Sequence, residues 1–208
     1  MTPNLSGKIN GYLDTGYLDN QIKIKLPEFS FFKKPISNTK PYRTISVLDA
    51  YTLIKGHWNI ERTQALRQIK DVEEARAFKA SQFNYVCFSG VFTKRSEKHF
   101  QHHSGLMVLD FDHLSDVDGV KNSLLADESL ETVLLFRSPS GDGLKWVITI
   151  DIRLMDHKNY FKAVGNYLKQ TYQFEVDASG KDVARACFLP YDPQVYINPN
   201  YLSHEKGI

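Results

Sequence analysis

Cysteine is scarce in this 208-residue chain: there are two, Cys87 and Cys187, and they form no Cys-x-x-Cys pair. That scarcity argues against a thiolate zinc site, and the apolar neighbours of both residues mark them as small core side chains. No apolar run is long enough to span a bilayer, and the N-terminus lacks the basic-then-apolar profile of a signal peptide. The expected location is therefore cytoplasmic, with no membrane partner. Charge of one sign is also missing. Against 26 Lys and Arg stand 24 Asp and Glu, a net charge of +2, so any contact with nucleic acid has to come from local patches. What is present is the composition of an ordinary globular protein, 42% hydrophobic, 12% aromatic and 24% charged. It suffices for a sizeable core in one domain, or in a core with a smaller appended unit.

The chain is organised around Gly105 to Leu114, which reads GLMVLDFDHL. Leu106 to Leu109 is a continuous apolar run and predicts a buried strand. Asp110 and Asp112 follow it one residue apart. Alternation along a strand puts both on one face, roughly 7 Å apart from Cα to Cα. Converging carboxylates repel, so a cation or a proton has to neutralise them. Mg²⁺ or Mn²⁺ suits such a pair, because hard ions prefer oxygen ligands. The plainer alternative is a strand end at which both acids are solvated.

Residues 1–44 are polar and read as a partly ordered lead-in, with a GlyTyrLeuAsp echo at 11–14 and 16–19 and an edge strand at Phe29 to Phe32. A domain is expected over residues 45–208. Val47, Ala50, Tyr51 and Ile54 fall at helical spacing, with Thr44 or Ser46 as N-cap and Gly56 as a stop. Two further helices are expected near Ile60 to Ile69 and Val72 to Ala80. Their basic residues (Arg62, Arg67, Lys70, Arg76 and Lys79) stand among acids and read as a solvated mixed-charge surface, with a phosphate-contacting face as the alternative. Phe83 to Gly90 predicts a strand, followed by a basic, aromatic loop. Its His99, His102 and His103 match no ligand spacing, while Lys94 and Arg95 are candidate phosphate contacts.

A helix capped by Ser115 or Asp116 is expected to run to about Leu125. Strands follow at Thr132 to Phe136 and Lys145 to Ile150, then a helix from about Met155 to Tyr172 and a short strand at Phe174 to Asp177. This order suits an α+β fold, with a mostly antiparallel sheet of four or five strands covered by helices on one face and an N-terminal helical region.

Two more places carry candidate chemistry. Ser138-Pro139-Ser140-Gly141-Asp142-Gly143-Leu144-Lys145 reads either as a hairpin turn with an exposed lysine or as an anion-binding nest beside a point charge. Near the C-terminus, Asp177 could face the acid pair, while Asp182 and Arg185, three apart, could pair with each other on a helical turn.

Taken together, ValLeuAspPheAsp, SerGlyAspGlyLeuLys and ValAsp…Arg…Phe-x-Pro resemble, in order and spacing, the three motifs of the archaeo-eukaryotic primase superfamily. SerProSerGlyAspGlyLeuLys and LysAspValAlaArgAlaCysPheLeuProTyrAspPro are closer still to the VirE N-terminal domain family of mobile-element proteins, often found ahead of a helicase-like ATPase region. The resemblance covers about Ser46 to Asn198. It implies a primase-polymerase-like, RRM-like palm in which Asp110, Asp112 and Asp177 are the catalytic, metal-holding carboxylates for Mg²⁺ or Mn²⁺. Ser138, Ser140, Gly141, Gly143, Lys145 and Arg185 would bind a nucleoside triphosphate, and Lys94, Arg95 and Arg137 would follow DNA, single-stranded or template-primer. Lys145 stands where the superfamily usually has His. An ammonium can hold a phosphate but cannot shuttle protons near neutrality unless its pKa is strongly lowered. The reading is a nucleotidyltransferase joining nucleotides on a DNA template. The alternatives are a catalytically silent DNA-binding module and a metal-dependent nuclease.

Overall fold

The computed structural model describes residues 26–202; the GlyTyrLeuAsp echo lies outside them. In chain order the strands and helices are β1 (Glu28–Phe32), β2 (Arg43–Ser46), α1 (Val47–Lys55), α2 (Ile60–Gln68), α3 (Val72–Gln82), β3 (Tyr85–Cys87), β4 (Gly90–Phe92), β5 (Phe100–His103), β6 (Leu106–Phe111), α4 (Val117–Leu125), β7 (Thr132–Arg137), β8 (Leu144–Thr149), α5 (His157–Tyr172), β9 (Cys187–Phe188) and β10 (Tyr196–Ile197).

The apolar run of β6 is buried along its whole length because it is covered on both faces. Met107, Leu109 and Phe111 point into a core closed by Leu124 of α4 and by Phe161, Val164 and Leu168 of α5. Leu106 and Val108 point the other way, into a core shared with Phe29, Phe31, Val86 and Phe88. Asp110 and Asp112 continue the second series, so they emerge at the end of β6 on the side facing the other sheet.

The fold is α+β and its strand pairs are antiparallel. It holds two four-stranded sheets, ordered β2-β1-β3-β9 and β10-β7-β8-β6, and a β4–β5 hairpin. The expected single sheet is therefore divided. Helices α4 and α5 cover one face of the second sheet, and the first sheet packs on the other.

Phe29 to Phe32, expected at an edge, lies in the interior: β1 pairs with both β2 and β3. Its aromatics explain why. Phe29 and Phe31 enter the intersheet core, while Phe32 stacks on Tyr85 on the opposite face, ring centroids 4.7 Å apart. The polar Ser30 between Phe29 and Phe31 is buried as well, accepting from the Phe92 N–H at 2.9 Å. Within the stretch read as lead-in, β1 and the start of β2 belong to the first sheet. Ser46 caps α1 in the expected way, in a reciprocal pair with Asp49, and Gly56 ends that helix. The basic, aromatic loop expected after Gly90 is mostly the β4–β5 hairpin.

Candidate metal centre

Register places the first two components of the site. β6 and β8 pair so that Asp110 lies directly opposite Lys145. Opposed residues of an antiparallel pair share a face, and the Lys145 ammonium rests against Asp110 Oδ1, 3.9 Å from Asp112. Asp110 is nearly buried, whereas half of the Asp112 side chain is open to solvent.

Asp177 arrives by a different route. Phe174 to Asp177, expected as a strand, has no regular strand structure. Instead the Asp177 N–H donates to the Asp110 carbonyl at 2.9 Å, on the edge of β6 away from β8. A single backbone bond ties the third acid to the first. Asp177 then caps the 3-10 turn Ala178–Lys181, accepting from the Ser179 N–H at 2.9 Å and from Ser179 Oγ at 2.6 Å.

Arg185 closes the group. Its Nη2 donates to Asp177 Oδ2 at 2.8 Å and reaches Asp110 Oδ2 at 3.5 Å. The helical turn expected to align Asp182 with Arg185 is absent, because the segment after Lys181 is irregular. The two residues meet only through the Arg185 N–H and the Asp182 carbonyl, at 3.0 Å.

Asp110, Asp112 and Asp177 each offer an oxygen within 4.8 Å of the others. The donor set is all hard oxygen, and among the described residues the only group against the buried Asp110 Oδ1 is the Lys145 ammonium. These residues fit a divalent cation such as Mg²⁺ or Mn²⁺.

The same charges tune one another. Burial raises the Asp177 carboxyl, but its bonds from Ser179 and the nearby charges of Arg185 and Lys145 outweigh that and hold it below the ordinary range. Burial dominates at Lys145. Arg185 and Lys79 reinforce it, Asp177 opposes it, and the ammonium falls to about 8. Cys187, buried beside these cations, is pushed up to about 11 by desolvation and stays a thiol.

Beside the acids opens a cleft of about 710 Å³, lined by Asp110, Asp112, Lys145 and Arg185 and also by Arg76, Lys79 and Arg95. Arg95 is held by the Ile36 carbonyl at 3.3 Å and lies over the Tyr85 ring. Arg76 and Lys79 come from α3, where the sequence favoured a solvated surface. Their three-residue spacing, which puts both on one helical face, was the available signal.

The remaining candidates are placed elsewhere. Ser138, Ser140, Gly141 and Gly143 do not line this cleft. Gly141 takes φ +92 next to the Arg67 side chain, which donates to the Ser138 and Pro139 carbonyls. Gly143 passes so close to β6 that a Cβ there would come within 2.2 Å of the Phe111 carbonyl oxygen. Its lack of a side chain lets β8 begin beside Asp112. Ser138 is buried, and no hydrogen bond reaches its hydroxyl. Arg137 is engaged with Asp118 at 2.6 Å and with the Gly141 carbonyl at 3.1 Å, and Lys94 is exposed on the β4–β5 connection. Among the described residues no helix is long and apolar enough to cross a membrane.

No curated protein and no solved structure matches this chain. Residues 77–197, more than half of its length and including all three acids with Lys145 and Arg185, match the BT4734-like, N-terminal domain family, and the chain belongs to that family.

Proposed function

We propose that the chain is a primase-polymerase-like nucleotidyltransferase domain of the VirE N-terminal kind, working in replication of a mobile element. The observation that carries this reading is the meeting of Asp110, Asp112 and Asp177, the last far from the pair in sequence, within 4.8 Å of one another beside a cleft lined by both basic and acidic side chains. Divalent ions bound to the three carboxylates would supply activation of an attacking 3′-hydroxyl and stabilisation of the leaving pyrophosphate.

The chain's own groups do the rest. Arg76, Lys79 and Arg95 offer point and forked positive charge to phosphates of a nucleoside triphosphate or of a DNA strand. Asp177 is held in place by Ser179 and Arg185. Lys145 adds a point positive charge beside the acids. A helicase-like ATPase domain or subunit is the partner this reading implies.

The test is extension of a labelled primer on several templates with ribo- and deoxynucleotides, in Mg²⁺ and in Mn²⁺, comparing wild type with Asp110→Asn. Incorporation lost in the variant by at least about a hundredfold is the expected result. No incorporation by the wild type under any of these conditions rejects the enzyme. Cleavage of the labelled DNA without added nucleotides would identify a nuclease instead.

One observation favours a second reading. Lys145 and Arg185 already neutralise Asp110 with no metal required, as a catalytically silent DNA-binding module would need. That module predicts salt-dependent DNA binding unchanged by Asp110→Asn.

A further inference from the structure

Both carboxylate oxygens of Asp110 face a resident cation: Lys145 at Oδ1, Arg185 at Oδ2. Each base also reaches a second acid. Lys145 lies 3.9 Å from Asp112, and Arg185 lies 2.8 Å from Asp177. When all five groups are ionised, three negative and two positive charges leave the cluster with one net negative charge. A divalent ion would make it positive, whereas with one base gone the same ion would bring it to neutrality.

The two bases are not held equally. Arg185 makes a well-formed hydrogen bond to Asp177, an acid that Ser179 also fixes. Lys145 rests against Asp110 Oδ1 on a four-carbon stem that lines the cleft, and its second acid, Asp112, is 3.9 Å away. Of the two, only Arg185 is pinned to a second acid by a hydrogen bond.

We propose that Lys145 is the built-in competitor of the divalent cation. Its ammonium occupies the Asp110 oxygen that the ion requires, sets the ion's affinity, and swings off Asp110 into the cleft when the ion binds. The released charge then faces the space in which a phosphate would lie. This inference rests on the metal reading above, and the experiment separates the two.

Mn²⁺ binding to the full chain is measured by the electron paramagnetic resonance of free Mn²⁺ for wild type, Lys145→Gln, Lys145→Arg and Asp110→Asn. Lys145→Gln is expected to bind roughly tenfold more tightly than wild type, from the lost repulsion between the ion and the ammonium. Lys145→Arg, which keeps the charge, is expected to stay close to wild type, and Asp110→Asn to lose the site. Binding by Lys145→Gln alone also supports the proposal. Equal or weaker binding by Lys145→Gln, with loss in Asp110→Asn, overturns it and leaves the metal site standing. No binding by any of the four overturns both.

A measurement on the wild type alone covers the case of a variant that does not fold. In lysine side-chain ¹³C NMR, the Lys145 Cε resonance is expected to shift as Mg²⁺ is added. A resonance that stays in place at saturating Mg²⁺ overturns the proposal.

Discussion

Asp110 is where the structural and chemical demands on this chain meet. It ends a fully buried strand, lies opposite a lysine, and faces an arginine across 3.5 Å. Removing one partner of a buried ion pair leaves the other charged and poorly solvated, which typically costs several kcal/mol. Asp110→Asn is therefore expected to lower stability by roughly 3 kcal/mol in urea denaturation without added metal. A change below about 0.5 kcal/mol, the range of an ordinary surface substitution, would show that Lys145 is not held by Asp110. The sequence made Asp110 and Asp112 legible as a pair because strand alternation needs only one segment. It could not show that Lys145 opposes Asp110, since that depends on the register between two strands separated by α4 and β7. Arg185 was named as a site candidate, but its pairing with Asp177 and Asp110 was hidden, the partners lying eight and seventy-five positions away.

Among the secondary-structure elements, the segments that end near the acids are tied together by backbone contacts. Gly143 packs against the last residues of β6, where a Cβ would meet the Phe111 carbonyl oxygen at 2.2 Å and Asp112 Cα at 3.3 Å. Gly143→Ala has to push the start of β8 away from β6. An overpacking cost of about 1–3 kcal/mol is expected, together with shifted NMR resonances for Asp112. An alanine variant with unchanged stability would contradict the close approach. The sequence offered this glycine as part of a phosphate nest, and the backbone gives it a packing reason as well.

A second tie runs through two histidines. The Gly105 N–H donates to His103 Nδ1 at 2.9 Å, which places the His103 proton on Nε2, 3.0 Å from His157 Nδ1. His157 Nε2 then faces the Gly180 carbonyl at 3.3 Å, in the turn that follows Asp177. Burial lowers both imidazoles, His103 to about 4 with His157 adding to the effect. Asp156, Asp182 and the Gly180 carbonyl oppose the shift at His157 but do not cancel it. Between pH 6.5 and 4 the unfolded chain binds the His103 proton and the folded chain does not. The stabilisation is therefore complete above 6.5 and drains away as pH falls toward 4. Urea unfolding across that window should show the decline, and His103→Gln should flatten it. An equal slope in the variant would contradict the relay. From sequence His103 was readable only as one of three loop histidines that match no ligand spacing, and its tie to His157 was hidden by the fifty-four positions between them.

Over the whole molecule, a chain with a net charge of +2 draws any affinity for polyanions from where its charges gather. Helix α3 and the β4–β5 connection bring Arg76, Lys79 and Arg95 to the same cleft as the acids. If a single DNA strand lies there, Lys79→Gln should lower the slope of log K against log salt by about 0.7, one phosphate contact on a single strand. An unchanged slope would place the strand elsewhere. The α+β class and most helix positions were legible because their periodicity is local. The division into two sheets was not, because it depends on β1 pairing with β2 and β3, segments up to fifty-odd positions away.

The most direct measurement is a crystal of the full chain soaked in Mn²⁺, with anomalous difference maps recorded at the manganese edge. A peak bridging the carboxylates of Asp110, Asp112 and Asp177, with the Lys145 ammonium turned away from Asp110, is the predicted result. Crystals with those carboxylates open to solvent that show no peak there, or that place the ion elsewhere with the Lys145–Asp110 contact intact, would contradict it.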